Sequence, residues 1–122
     1  MILADTSVWI SHIRSGEPHL ERALVDGQVF MHPFVLGEIA CGNLRRRSQT
    51  LNALERLPFT VAASNDEVLA LLELHRLFGK GIGWVDAHLL ASARLSGCKL
   101  WTLDGSLLHA ATALKVGYST VM

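Results

Sequence analysis

The chain opens on a short apolar run, residues 1–4, followed at once by Asp5-Thr6-Ser7. An apolar run that ends on N-cap residues predicts a buried strand handing over to a helix. Val8, Trp9, Ile10 and Ile13 then recur on a helical stripe, which Gly16 ends. Pro18 suits the first turn of a second helix carrying Leu20, Ala23 and Leu24, and Gly27 stops it. Residues 29–31 are again apolar and predict a second strand. Pro33 opens a third helix to about Leu44, closed by Arg45-Arg46-Arg47, because cations suit a helix C-terminus. Ser48 starts a fourth helix with Leu51, Leu54 and Leu57 on one face, ended by Pro58. Residues 59–61 predict a third strand.

Further along, Ser64 and Glu67 form a capping box ahead of Val68, Leu71, Leu72 and Leu74. Gly79, Gly81 and Gly83 make a flexible connection. Residues 84–95 predict a helix stopped by Gly97, residues 98–103 a strand, and Asp104-Gly105-Ser106 the cap of a helix through Leu114. Residues 116–121 predict a last short strand. Strands alternating with helices along the whole chain predict an α/β fold, a central and largely parallel sheet of about four or five short strands flanked by helices. In such sheets, sites form beyond the carboxyl ends of the strands.

Composition narrows this picture. At 122 residues, half of them hydrophobic and 18% charged, the chain is expected to be one domain with a dense core. Lys+Arg and Asp+Glu balance at 11 each, which excludes a protein that holds nucleic acid by a broad basic coat, though not one with a local basic patch. No run approaches the ~18 apolar residues of a membrane span, and no secretory signal is visible at the N-terminus, so a cytoplasmic protein is expected. Cys41 and Cys98 are far apart and in no ligand-spaced pair, which argues against both a disulfide and a zinc site.

With only 11 acids, each can be weighed singly. Asp5 and Asp104 each follow a strand, and each also reads as an ordinary N-cap or turn residue. Asp86 lies in the first turn of a helix, where the dipole favours an acid. Glu38 is harder to explain, being the only ionisable group between Pro33 and Leu44. Burying it unpaired would cost several kcal/mol. Together the four can meet at one edge of a parallel sheet. Like charges at that range need counter-charge, and acid-only oxygen sites suit Mg²⁺ or Mn²⁺, one or two ions, in phosphoryl chemistry.

These residues carry a family resemblance. The start Ile2-Leu3-Ala4-Asp5-Thr6-Ser7, the lone Glu38, the stretch Trp84-Val85-Asp86-Ala87-His88-Leu89-Leu90-Ala91 and the run Trp101-Thr102-Leu103-Asp104 together resemble the PIN domain, above all the VapC toxins of type II toxin–antitoxin modules. The resemblance spans essentially the full chain. It implies a three-layer α/β/α fold and a divalent-metal-dependent endoribonuclease that cleaves tRNA or rRNA by metal-activated water, leaves a 5′-phosphate and a 3′-hydroxyl, and inhibits translation. It also implies a VapB-type antitoxin partner and a homodimer. Asp5, Glu38, Asp86 and Asp104 match the family's acids and stand as catalytic and metal-ligand candidates. Thr102 matches the Thr of the last motif, and Thr6 or Ser7 the small hydroxyl residue that assists the first Asp. Two rival readings are an aspartyl-nucleophile phosphohydrolase using Asp5, which usually wants a second acid where Ser7 stands, and a catalytically silent PIN fold that only binds RNA or protein.

Arg45, Arg46 and Arg47 form the densest basic cluster and read either as a solvated helix end or as a phosphate-contacting rim. Arg14 and the glycine-flanked Lys80 are further candidates for RNA contact. His88 stands two residues after Asp86, roughly the opposite side of a helix, and reads as a core or surface histidine. Trp9, Leu20, Leu24, Leu51 and Leu54 read mostly as core, with the alternative of an apolar groove that takes an antitoxin helix. Stacking of RNA bases on Trp84 and Phe34 is conceivable, but no sequence pattern supports it.

Overall fold

The structure is a computed structural model that describes residues 1–120. The elements run β1 (Ile2–Ala4), α1 (Thr6–Ser15), α2 (Pro18–Val25), β2 (Val29–Phe30), α3 (Pro33–Cys41), α4 (Arg47–Glu55), α5 (Asn65–Leu74), α6 (Trp84–Ser96), β3 (Lys99–Trp101) and α7 (Gly105–Ala113). The sheet is parallel in the order β2-β1-β3, with Ile2 opposite both Val29 and Lys99. Successive strand residues face opposite sides of a sheet. Leu3 and Ala4 of β1 are both fully buried, as are Leu100 and, nearly so, Trp101 of β3, so both faces of the sheet are covered. One large core joins these residues to Val8, Leu20, Val35, Ile39, Leu90 and Leu107. A smaller one of Ala63, Val68, Ala87 and Ala91 seals α5 onto α6.

The caps are as the sequence pattern predicts. Asp5, Ser64 and Asp104 accept from backbone N–H groups at the starts of α1, α5 and α7, and Ser64 with Glu67 completes the capping box. Gly97 ends α6 in the left-handed conformation at φ 63°. Prolines stand in the first turns of α2 and α3, where their missing N–H costs nothing.

Two expectations need correction. The sheet has three strands, not four or five. Residues 59–61 contribute one bridge, Met31 to Phe59, because Ser96 Oγ takes the N–H of Val61 and Ser92 Oγ that of Ala63. The segment after α7 likewise gives one bridge, Leu100 to Gly117, held by Leu100 N–H to Val116 and Tyr118 N–H to Leu100. Both bridges extend the sheet in register on its two edges, and Val121, the end of the last expected strand, lies outside the described residues. The second correction concerns the arginines. α3 stops at Cys41, and Arg46, left-handed at φ 50°, instead caps the start of α4. Arg47 still serves the end of α3, since its guanidinium donates to the carbonyls of Ala40 and Gly42. A cation therefore does complete that helix end, but by its side chain from the next element.

Candidate active site

Parallel pairing puts the carboxyl ends of β1 and β3 side by side. Asp5 follows β1 directly, and its backbone N–H donates to the carbonyl of Trp101, the last residue of β3, at 2.9 Å. Asp5 is 6% exposed. Its Oδ1 accepts from Val8 N–H at 3.1 Å and from Ser7 Oγ at 2.5 Å. Ser7 Oγ in turn accepts from Leu103 N–H at 3.1 Å, so one hydroxyl fastens the first acid to the loop that carries the last. In that loop the buried Thr102 accepts from the N–H of Asp104 at 3.0 Å, and Asp104 Oδ1 caps α7 through Leu107 N–H.

Glu38 comes from α3. The solvent stripe of that helix is Pro33, Phe34, Gly37, Glu38 and Cys41, so the carboxylate lies on a narrow exposed face. Thr6 Oγ1 donates to Glu38 Oε1 at 2.7 Å and ties α3 to the start of α1. Asp86 stands in the first turn of α6, half-buried, with Oδ2 accepting from Gly83 N–H at 3.2 Å. The structure thus assigns a hydrogen-bonded position to each hydroxyl the sequence singled out, Thr6, Ser7 and Thr102. It also shows that capping and a functional role are compatible: each carboxylate spends one oxygen on a local bond, and the other has no hydrogen-bond partner among the described residues.

Electrostatics joins the four acids. Burial pushes the Asp86 carboxyl above its ordinary value; the Gly83 bond opposes that, and the charges of Asp104, Asp5 and Glu38 each push it further up. Among the described residues no three such side chains are closed into a preformed metal cage. The acids share a field rather than touch. Among the described residues no ion pair joins any of them to a cation. Carboxylates with spare oxygens are the donors a hard divalent cation takes, and Asp5, Glu38, Asp86 and Asp104 are the residues that could hold one, which would supply the missing counter-charge.

Arg45, Arg46 and Arg47 lie at the α3–α4 turn with Arg47 engaged as above, Arg14 is exposed in the last turn of α1, and Lys80 is exposed in the glycine loop. No hydrogen bond among the described residues links any of them to Asp5, Glu38, Asp86 or Asp104.

Two features escaped the sequence reading. His32 caps α3: its Nδ1 accepts from Phe34 N–H, and its Nε2 donates to Ser92 Oγ at 3.1 Å in the tautomer that pairing requires. A polar residue just before Pro33 was the available signal. The second feature is a row of rings. His88 is 3% exposed and holds Phe34 and Trp84 in edge contacts, with centroids at 4.8 Å and 4.6 Å. The four-residue spacing of Trp84 and His88 was readable as a helical pair. Phe34, contributed by another helix, was not.

A family model for the PIN domain matches residues 2–113. The chain belongs to the PIN-domain family. Within it the similarity runs to the VapC type: Ribonuclease VapC32 of Mycobacterium tuberculosis, found in two strains, is 44% identical over 108 residues, 88% of this chain and 87% of the relative. The crystal structure of PAE2754 from Pyrobaculum aerophilum has the same fold, with a TM-score of 0.59 at 19% identity, covering 88% of this chain and 77% of that one. In this PIN domain Asp5 and Asp104 follow β1 and β3, Asp86 stands in the first turn of α6, and Glu38 lies on α3. Among the described residues, no helix is long and apolar enough to cross a membrane.

Proposed function

We propose that this single-domain VapC-type protein is a divalent-metal-dependent endoribonuclease, the cytoplasmic toxin of a toxin–antitoxin pair. It would act as a homodimer, cleave tRNA or rRNA and thereby inhibit translation. The carrying observation is the shared field of Asp5, Glu38, Asp86 and Asp104, each with one oxygen spare. Bound Mg²⁺ or Mn²⁺, one or two ions, supplies counter-charge and Lewis acidity toward phosphate and water oxygens. Asp5 and Asp86, the more enclosed pair, are the main holders; Glu38 and Asp104 border the mouth. Ser7 fixes the Asp5 carboxylate, Thr102 holds the backbone N–H of Asp104, and Thr6 fixes the Glu38 carboxylate. Water attacks the phosphorus in line, the bond to the 3′-oxygen breaks, and the proton ends on that oxygen. Arg14, Arg45, Arg46, Arg47 and Lys80 would meet the phosphodiester chain beyond the site.

The products test this reading. Purified, partner-free protein incubated with structured RNA in Mg²⁺ or Mn²⁺ is expected to give fragments with 5′-phosphate and 3′-hydroxyl ends, and none in EDTA. Fragments ending in a 2′,3′-cyclic phosphate would overturn it, because they require the neighbouring ribose hydroxyl and not water as nucleophile. Ser7→Ala removes the bond that orients Asp5 and is expected to slow cleavage by roughly 10–100-fold, in line with other groups that orient metal ligands. Its Kd for Mn²⁺, measured by calorimetry, should rise in step.

A groove supports the antitoxin reading. α1, α2 and α4 enclose about 480 Å³ lined by Trp9, Ile13, Leu24, Leu54 and Leu57, with Arg46 at its edge. Leu20, by contrast, is fully buried core, and Leu51 packs on the core. A VapB-type segment lying helix-in-groove fits this shape.

A further inference from the structure

The row Phe34–His88–Trp84 has no part in holding the acids, and its construction calls for an explanation. Trp84 is 43% exposed and Phe34 38%, while the other two tryptophans, Trp9 and Trp101, are 2% and 6% exposed. Single exposed aromatics are ordinary on a protein surface. These two share a ring between them, His88, in edge contacts with centroids at 4.8 Å and 4.6 Å. Phe34 also meets the ring of the buried His32 at 5.3 Å.

Their position is specific. Phe34 lies one turn before Glu38 on the exposed stripe of α3, about 6 Å along the axis. Trp84 opens α6 in the same first turn as Asp86. Two residues apart on a helix, Trp84 and Asp86 leave on opposite sides. The rings therefore stand where α3 meets α6, on the stripe that carries Glu38 and across α6 from Asp86.

Charge also leaves this work to the rings. The chain is neutral in sum, and among the described residues no ion pair joins Asp5, Glu38, Asp86 or Asp104 to a cation. Affinity for RNA must then draw on contacts other than bulk charge. Aromatic faces supply it, since any nucleobase stacks on them whatever its identity.

We infer that Trp84 and Phe34 form a preorganised stacking platform for the nucleobase flanking the scissile phosphate, so that base stacking registers the RNA chain against the four acids. This rests on the nuclease reading above. It assigns the substrate contact to two residues that neither bind metal nor carry charge. The neighbouring base must present an open face, so a nucleotide stacked on both sides in a duplex is a poor occupant.

The test has two arms. In the first, Asp5→Asn protein is titrated with a single-stranded RNA oligonucleotide while tryptophan fluorescence is followed. Trp84 is the one exposed tryptophan, so its quenching on binding, absent in Trp84→Phe, is the expected signal. In the second, otherwise wild-type Trp84→Ala and Trp84→Phe cleave an oligonucleotide and copies of it made abasic at either nucleotide beside the cut. Trp84→Ala is expected to raise KM roughly tenfold, as loss of one stacked base does elsewhere. Trp84→Phe should retain most of the affinity, and the abasic copy should erase the difference between the variants. Unchanged KM in Trp84→Ala with metal-dependent cleavage intact would overturn this inference alone. Absence of both quenching and cleavage would overturn the nuclease reading with it. Trp84 quenched by self-association or by an antitoxin peptide, and not by RNA, would assign the platform to a protein partner and overturn the inference.

Discussion

Asp86→Asn is expected to lower metal-dependent RNA cleavage by about a thousandfold or more, the scale of losing several kcal/mol of charge stabilisation. The same substitution is expected to make the metal-free protein more stable at neutral pH. Asn keeps an oxygen for Gly83 N–H, so the start of α6 keeps its cap. It removes a half-buried charge that Asp104, Asp5 and Glu38 repel. The sign follows from the raised folded pKa. Asp86 favours the folded state below the ordinary value of 3.8, and that favour is lost as pH rises through the raised value. At pH 7 in EDTA, Tm of Asp86→Asn should therefore exceed that of wild type. Mn²⁺ should raise Tm of wild type strongly and of the variant little. Lower stability of the variant in EDTA would contradict the repulsion, and full activity would remove Asp86 from the site.

The second large effect belongs to His32. Burial, with help from nearby His88, pushes its imidazole down to about 4 from 6.5. The neutral ring caps α3 and bonds Ser92, which also accepts from Ala63 N–H. The unfolded chain takes up the proton below about 6.5, and the folded chain holds it off until about 4. Stability from this group is therefore complete above pH 6.5 and is lost as pH falls through about 4, on the order of 3 kcal/mol in all. Asp86 works against this trend over the lower part of the range, by shedding its unfavourable charge. Urea unfolding at pH 7, 5.5 and 4 should show a net fall for wild type. His32→Ala should lose about 2–4 kcal/mol at pH 7, from the lost cap, the cavity and the stranded Ser92 hydroxyl, and should depend less on pH. Equal pH dependence in both proteins would contradict the buried neutral ring.

Much of this molecule is legible from its residues because local rules fix it. Asp5, Ser64 and Asp104 each cap a helix in the structure, and Gly16 and Gly97 each end one. Asp5 and Asp104 could be placed because each follows a strand and Asp86 because it opens a helix, whereas Glu38 stood out only as the lone ionisable group of α3. What was not legible depends on partners far along the chain. The strand at residues 59–61 shrinks to a bridge because Ser96, some thirty-five residues on, takes the N–H of Val61, and Ser92 takes that of Ala63 just beyond. Arg45-Arg46-Arg47 read as the end of α3, but only the fold shows that Arg46 turns left-handed and that Arg47 reaches back. Ser7 could be named as an assistant to Asp5, whereas its bond to Leu103 N–H needs β1 and β3 side by side. The ring row needs Phe34 and Trp84 from different helices to meet at His88.

The most direct measurement is the cleavage rate of one RNA across a Mn²⁺ titration, with wild type and Asp5→Asn side by side. The four-acid account predicts no cleavage in EDTA, a rate for wild type that rises with metal and saturates, and a flat line for Asp5→Asn. Cleavage that persists in EDTA, or that survives Asp5→Asn, would contradict it.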